Sequence, residues 1–267
     1  MITSYCLLIT VFMYVYLYDN FLRKKKYEST IKAIETRLTD FEIAGKIIRL
    51  QNFTNTEAVI EEEIKNGATA IVMVGNDETF GRVLARGAAC QVLFGFLPVG
   101  PENTIAEVLG IPEGEAACDI LAQRRKVKLD VGWISNRNRY FVSQLHIPPS
   151  DITIEYDEKF KVSGKYRKME LVICNLQPFV WNRRGQADFV VHPQDGKLEA
   201  FLRPMSGRSM FRDKYEEPSV FPFEEMVITG EGPFIVEADG TTTKETKIVV
   251  KLAKNRIEMI VGRERKF

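Results

Sequence analysis

The chain has 267 residues, 45% of them hydrophobic and 27% charged, with a formal net charge of +1. That is enough for two domains or one large one, at the ordinary composition of a globular protein. Near-neutral charge, with no basic stripe interleaved with aromatics, argues against a nucleic-acid partner. Cys6, Cys90, Cys118 and Cys174 stand apart in apolar contexts and read as reduced core residues of a cytosolic protein. With only His146 and His192, the sequence argues against a histidine-based metal centre.

Met1 to Tyr18 carries no charge and is followed by Arg23-Lys24-Lys25-Lys26. A spanning helix needs roughly 20 apolar residues, and this run is slightly short and holds Thr3, Ser4 and Thr10. A basic n-region and a small-residue cleavage site are missing. The reading preferred here is a first strand at Tyr14–Tyr18 preceded by an extension over residues 1–12; a membrane anchor is the alternative. Arg23 to Leu38 has Tyr27, Ile31, Ile34 and Leu38 at helical spacing. Lys46–Leu50 is a short strand. Thr54-x-x-Glu57 resembles a capping box for a helix ending at Asn66-Gly67.

Two strand–loop–helix units follow. The apolar run Ala70–Val74 stops at Gly75-Asn76-Asp77-Glu78-Thr79, and Gln91–Leu97 stops at Pro98-Val99-Gly100-Pro101-Glu102-Asn103. Helical patterns follow both loops, and a further helix spans Glu115 to Arg125. Alternation of strand and helix implies a parallel sheet with helices on both faces. Both loops then lie at carboxyl ends of neighbouring strands, where open α/β sheets bind ligands and helix N-termini favour anions.

From Val127 the helices give way to short runs: Lys128–Ile134, Arg139–Leu145, Ile152–Tyr156, Met169–Cys174, Phe189–His192, Leu198–Leu202, Met226–Thr229, Phe234–Ala238, Lys247–Leu252 and Arg256–Val261. Turn residues such as Asp195-Gly196 and Asp239-Gly240 separate several of them. The expectation is an α/β domain over 1–125, with a three-layer parallel sheet, and an all-β sandwich over 126–267.

The two loops resemble those of the diacylglycerol kinase catalytic-domain family, which includes bacterial lipid kinases and sphingosine kinases. That family carries Gly-Gly-Asp-Gly-Thr after one strand and Pro-x-Gly-Thr-Gly-Asn after the next. Gly75, Asp77, Thr79, Pro98, Gly100 and Asn103 match, while Asn76, Glu78, Pro101 and Glu102 depart. Ala106-Glu107-Val108-Leu109-Gly110-Ile111-Pro112 continues the likeness. The resemblance implies a nucleotide-binding first domain, a lipid-binding second domain, ATP and Mg²⁺ as cofactors, and a nucleotide cleft between the domains.

It also implies roles for single residues. Gly75, Asn76, Asp77, Thr79, Gly100 and Asn103 fall at nucleotide-binding positions. Asp77 is a catalytic and Mg²⁺-organising candidate; a helix-capping aspartate is the plainer alternative. Asp239 of Asp239-Gly240-Thr241 matches the family's catalytic aspartate, thought to accept the lipid hydroxyl's proton, although Thr241 replaces a glutamate; a hairpin turn explains Asp-Gly equally. Asp195 of Asp195-Gly196-Lys197-Leu198 matches a structural Mg²⁺ ligand, with a hairpin turn again the alternative. Arg183-Arg184 and Lys24–Lys26 offer cations for phosphate or anionic lipid, or are simply solvated.

The departures bear on binding. A carboxylate ~5 Å from a phosphate charge costs about 3 kcal/mol at an effective dielectric near 20. That is roughly a hundredfold in affinity. The leading expectation is an ATP-dependent lipid kinase acting on a hydroxyl such as that of diacylglycerol. It would be cytoplasmic, with peripheral contact at the inner face of the membrane. The alternatives are a pseudokinase that binds nucleotide or lipid without turnover, and a relative of the NAD kinases. The sequence names neither the lipid nor an oligomeric state.

Overall fold

The computed structural model describes residues 13–51, 54–158, 160–163, 168–177, 191–208 and 213–267. The extension 1–12, Arg183-Arg184 and the first half of the strand expected at Phe189–His192 lie outside these; Val191 and His192 are not in a strand.

Four parallel strands form the first sheet: β1 (Tyr14–Tyr18), β2 (Lys46–Arg49), β3 (Ala70–Gly75) and β4 (Leu93–Pro98), in the order β2-β1-β3-β4. All five residues of β1 are buried, as the apolar run requires of a strand in the middle of a sheet. Two polar tips inside this core find partners: the Tyr16 hydroxyl donates to the Ile43 carbonyl at 2.5 Å, and Arg124 Nε donates to the Tyr14 hydroxyl at 2.8 Å.

The helices are α1 (Glu28–Asp40), α2 (Thr56–Lys65), α3 (Asp77–Gly87), α4 (Thr104–Val108) and α5 (Ala117–Gln123). The region Arg23–Tyr27, expected to be helical, forms two 3-10 turns over Asn20–Arg23 and Lys25–Tyr27 before α1 begins. The expected capping box at Thr54 is corrected as well. Asn55 is the cap, its side chain accepting from Ala58 N, and Thr54 instead accepts from Gln51 N. A reciprocal capping box does occur, at Asn76 and Thr79.

The second unit is antiparallel. β5 (Lys126–Ile134), β6 (Arg139–Phe141), β7 (Gln144–Ser150), β8 (Ile152–Tyr156), β9 (Phe160–Ser163), β10 (Met169–Cys174), β11 (Leu198–Arg208), β12 (Asp213–Tyr215) and β13 (Ser219–Phe223) are followed by two long strands, β14 (Glu225–Ala238) and β15 (Thr241–Ile260). Each long strand replaces two expected short ones. β14 is irregular between Thr229 and Phe234; its first half pairs with β8 and its end with β7. Met226, Ile228, Phe234, Val236 and Ala238 all point into the second core. The sandwich thus turns a corner within one strand.

β15 joins the two units. Ile248 and Val250 lie in the second core, Ile257 and Met259 in the first. The inward parity changes at an irregularity between Ala253 and Ile257, where Asn255 has φ 51°. The same change runs along β5, with Leu129 and Val131 in the first core and Ile134 in the second, so the two cores lie on opposite faces of the shared strands, while residues 254–256 stand opposite Asp130 alone and move the register by two. Buried Asp130 holds this bulge: its Oδ1 accepts Asn255 N at 2.7 Å and its Oδ2 accepts Gly196 N at 3.1 Å. Beyond the bulge, Glu258 and Met259 pair in parallel with Leu93 and Phe94 of β4. One continuous sheet therefore runs from the parallel unit into the antiparallel one. Among the described residues, no helix is long and apolar enough to cross a membrane.

Candidate active site

The two loops are tied together at the carboxyl ends of β3 and β4. Val99 N donates to Gly75 O at 2.6 Å, and Asp77 N donates to Glu102 O at 3.0 Å. Asn76 caps α3, its Oδ1 accepting from Thr79 N at 3.2 Å. Asp77 caps α4 rather than its own helix: its two carboxylate oxygens lie 3.1 and 3.2 Å from Ile105 N. Burial pushes the Asp77 carboxyl up to about 6, with the Glu102 charge adding to the rise and the Ile105 and Thr104 N–H groups opposing it.

A residue not singled out in the sequence completes this arrangement. Asp19, at the end of β1, is buried. Its Oδ2 accepts from the fully buried Thr79 hydroxyl at 2.7 Å and from Arg82 Nη2 at 2.5 Å. Its place at the end of a parallel strand beside the other two loops was the available signal. Gly75 has to be glycine, because a Cβ there would stand 2.4 Å from the Thr79 hydroxyl oxygen. Thr79 thus shapes the first loop from within and does not face solvent.

In the second loop Gly100 has φ 107°, and a Cβ would meet the Phe21 ring at 2.9 Å. Asn103 donates to Gly100 O at 2.8 Å and Glu113 Oε1 at 3.0 Å, while its buried Oδ1 has no partner among the described residues. A groove of about 540 Å³ runs beside this loop, lined by Lys26, Tyr27, Thr30, Gly100 and Pro101 among others. Glu78 and Glu102 are both exposed. Glu102 has φ 65°, a conformation that costs a side-chain-bearing residue about 1–2 kcal/mol. Glu102→Gly is therefore expected to stabilise the fold by up to about 1 kcal/mol, the flexibility gained by the unfolded chain offsetting part of the relief. Urea unfolding reads it as a higher midpoint at unchanged slope; a lower midpoint contradicts it.

Asp239 and Gly240 form the two-residue turn between β14 and β15, with φ 43° and 71° and Ala238 paired to Thr241. The hairpin expectation is met, and the carboxylate also folds back. Its Oδ2 accepts Val142 N at 2.6 Å and its Oδ1 accepts Ser143 N at 3.1 Å. This separates β6 from β7 within the expected run Arg139–Leu145, since these N–H groups go to a side chain rather than a strand. Burial raises the Asp239 carboxyl above the ordinary range, against those two donors and the Arg139 charge.

Asp239 also packs on α3: a Cβ on Gly81 would stand 2.9 Å from its Oδ1. Gly81 is one turn after Asp77, ~6 Å along the helix. The geometry therefore brings the Asp239 turn to the helix that starts in the first loop.

Asp195 lies elsewhere, on an exposed turn entering β11, where its Oδ1 accepts Lys197 N at 3.0 Å. Its charge and, more strongly, burial push the carboxyl of nearby Glu199 up to about 7. Among the described residues, no group of three or more His, Cys, Asp or Glu side chains is placed to hold a metal.

Beside Asp239 a cavity of about 330 Å³ is lined by Gln144, His146, Glu237 and Thr241 among others. His146 Nδ1 lies 3.0 Å from Glu237 Oε2 and its Nε2 lies 3.1 Å from Glu170 Oε1; Arg203 also pairs with Glu170. The Glu170 hydrogen bond raises the His146 pKa against burial. Burial works to raise Glu170, but His146 and Arg203 outweigh it and hold its carboxyl low. For His146 the stabilisation is complete below its ordinary pKa of about 6.5 and is lost as pH rises through the raised value. For Glu170 it is present above the ordinary carboxylate value and lost as pH falls. Melting temperature should therefore fall from pH 6 towards pH 8, and His146→Gln should flatten that slope. Parallel slopes for the two proteins would contradict this assignment.

The fold is that of a two-unit α/β and antiparallel-β protein with two joined loops at the carboxyl end of the parallel sheet. The model of the diacylglycerol kinase catalytic domain matches residues 15–134. No curated protein sequence matches the chain. Three solved structures assigned as diacylglycerol kinases from Bacillus anthracis str. Sterne share its fold. Their identities are 15, 14 and 15%, with TM-scores of 0.75, 0.77 and 0.76. The matches cover 96, 94 and 95% of this chain and 99, 98 and 98% of those chains.

Proposed function

We propose that this chain is an ATP-dependent lipid kinase that phosphorylates a lipid hydroxyl such as that of diacylglycerol. Residues 1–125 would form the nucleotide-binding domain and residues 126–267 the lipid domain. The observation that carries the reading is the packing of the Asp239 turn against Gly81, one helical turn from the joined loops.

The residues present fit the cofactors. The partnerless buried Oδ1 of Asn103 is an acceptor suited to a hydroxyl or amino group of a nucleotide, and Lys26 supplies a cation to the adjoining groove. Mg²⁺ needs only one or two carboxylates when phosphates complete its shell, and Asp77 with Glu102 offers that number. When bound, Mg·ATP supplies the phosphoryl group and neutralises its charge. Gly75, Asn76 and Thr79 shape the first loop, and Gly100 leaves room for the second. Asp239 takes the proton from the lipid hydroxyl. Its raised pKa makes it a stronger proton acceptor, and Val142 and Ser143 fix its orientation. Asp195, with Glu199 beside it, is the proposed position for a structural cation. Lipid contact would be peripheral, on the cytoplasmic side.

A pseudokinase is the second reading, and one observation favours it. Asn76 and Asp77 already cap α3 and α4, where glycine loops would leave N–H groups for phosphate. Calorimetry with ATP, with and without Mg²⁺, tests the proposal. Mg²⁺-dependent binding is expected. Because Glu78 is exposed, Glu78→Gly should tighten it by no more than about tenfold. No binding of ATP at millimolar concentration would overturn the kinase reading.

A further inference from the structure

We propose that the cavity between α3 and the β5–β6 hairpin is a binding site for a phosphate-bearing anion. It has a volume of about 370 Å³ and is lined by Arg86, Arg137, Arg139, Arg256, Tyr140 and Glu57, among others. That size lies within the range of roughly 300–1,000 Å³ usual for ligand pockets. The chain as a whole carries a charge of only +1, so four arginines at one cavity are a local concentration of charge.

The partners of these arginines differ. Arg137 is neutralised by Glu245. Among the described residues, Arg139 Nη2 donates only to main-chain carbonyls, Ala238 O at 2.9 Å and Thr241 O at 3.5 Å. Arg256 Nη2 donates to Ala89 O at 3.0 Å, its guanidinium lies 5.2 Å from the Tyr140 ring centroid, and its Nε is buried without a partner. Arg86 is exposed on α3. Among the described residues, no carboxylate is within ion-pair distance of Arg86, Arg139 or Arg256. Glu57 is the one acid lining the cavity. Burial, and then repulsion from Arg86, lower the pKa of Arg139, against the charges of Asp239 and Glu245. Like charges gathered around a cavity are stabilised by an anion, and planar guanidinium groups match phosphate oxygens in bidentate geometry.

This site is separate from the two loops, although Arg139 also holds the Asp239 turn. Arg86 follows Asp77 by nine residues, ~13 Å along the helix. It does not depend on turnover or on nucleotide binding. The shared chemistry is a phosphate group, free or on a lipid headgroup. The test is calorimetry of the full chain, without ATP, against inorganic phosphate and glycerol phosphate. Sedimentation with vesicles of phosphatidylcholine and phosphatidylglycerol in equal parts is run in parallel. Arg86→Glu and Arg86→Gln are compared with the wild type, and thermal melting checks that they fold. Binding that falls with added salt and weakens about tenfold in Arg86→Glu supports the site. If the soluble phosphates bind, the ligand is a free phosphate compound; if only the vesicles bind, it is a headgroup. No binding of either, or binding unchanged by both variants, overturns the proposal.

Discussion

Asp239→Asn is expected to lower phosphoryl transfer to lipid by about 10²–10⁴-fold, the usual contribution of a general base, while the protein stays folded. The two effects separate because the carboxylate has two roles. It accepts the Val142 and Ser143 N–H groups, and it is the proposed proton acceptor. Asparagine keeps one acceptor oxygen but no basic site. Asp239→Ala removes both acceptors and should lose about 1–3 kcal/mol of stability for each stranded N–H. A full-rate Asp239→Asn protein would remove Asp239 from the chemistry and leave it a turn residue.

The second large effect is at Asp19. Its carboxylate receives the Thr79 hydroxyl and the Arg82 guanidinium, and its Oδ1 accepts Phe21 N at 3.1 Å. Asp19→Ala strands all three groups, and removing one partner of a largely buried ion pair costs about 3–5 kcal/mol. Arg82 is 36% exposed, so solvent recovers part of that and about 3 kcal/mol is expected. Urea unfolding should show a lower midpoint with unchanged slope. Asp19→Asn, which keeps an acceptor but not the charge, should fall between. A loss below about 0.5 kcal/mol would mean that the first loop holds its shape without β1.

The parallel sheet was legible because its strands are unbroken apolar runs ending in small-residue loops, which is how strands buried on both faces read. Ile152–Tyr156 and Met169–Cys174 were also found at their observed limits. Boundaries went astray where side chains compete with backbone pairing. Asn55 displaced Thr54 as a cap, and Asp239 split Arg139–Leu145 from almost a hundred residues away. β14 and β15 each looked like two strands because an irregular segment interrupts an alternation that continues beyond it.

At the proposed site, Asp77, Asn103 and Asp239 are the residues that motifs single out. Motifs do not show the contacts that organise them. Asp19 meets Thr79 across 60 positions, and Gly81 meets Asp239 across most of the chain. An isolated glycine in a helical pattern carries no sign of what it packs against. The arginines of the further cavity are similarly scattered, from Arg86 to Arg256, and only the fold collects them.

The Asp239 turn and the two loops are proposed to form one phosphoryl-transfer site. Incubation of the full chain with Mg²⁺ and γ-labelled ATP over a panel of lipids bearing free hydroxyls tests it most directly. A labelled lipid phosphate that disappears with Asp239→Asn is expected. ATP binding without label in any lipid would contradict it and leave the pseudokinase reading in its place.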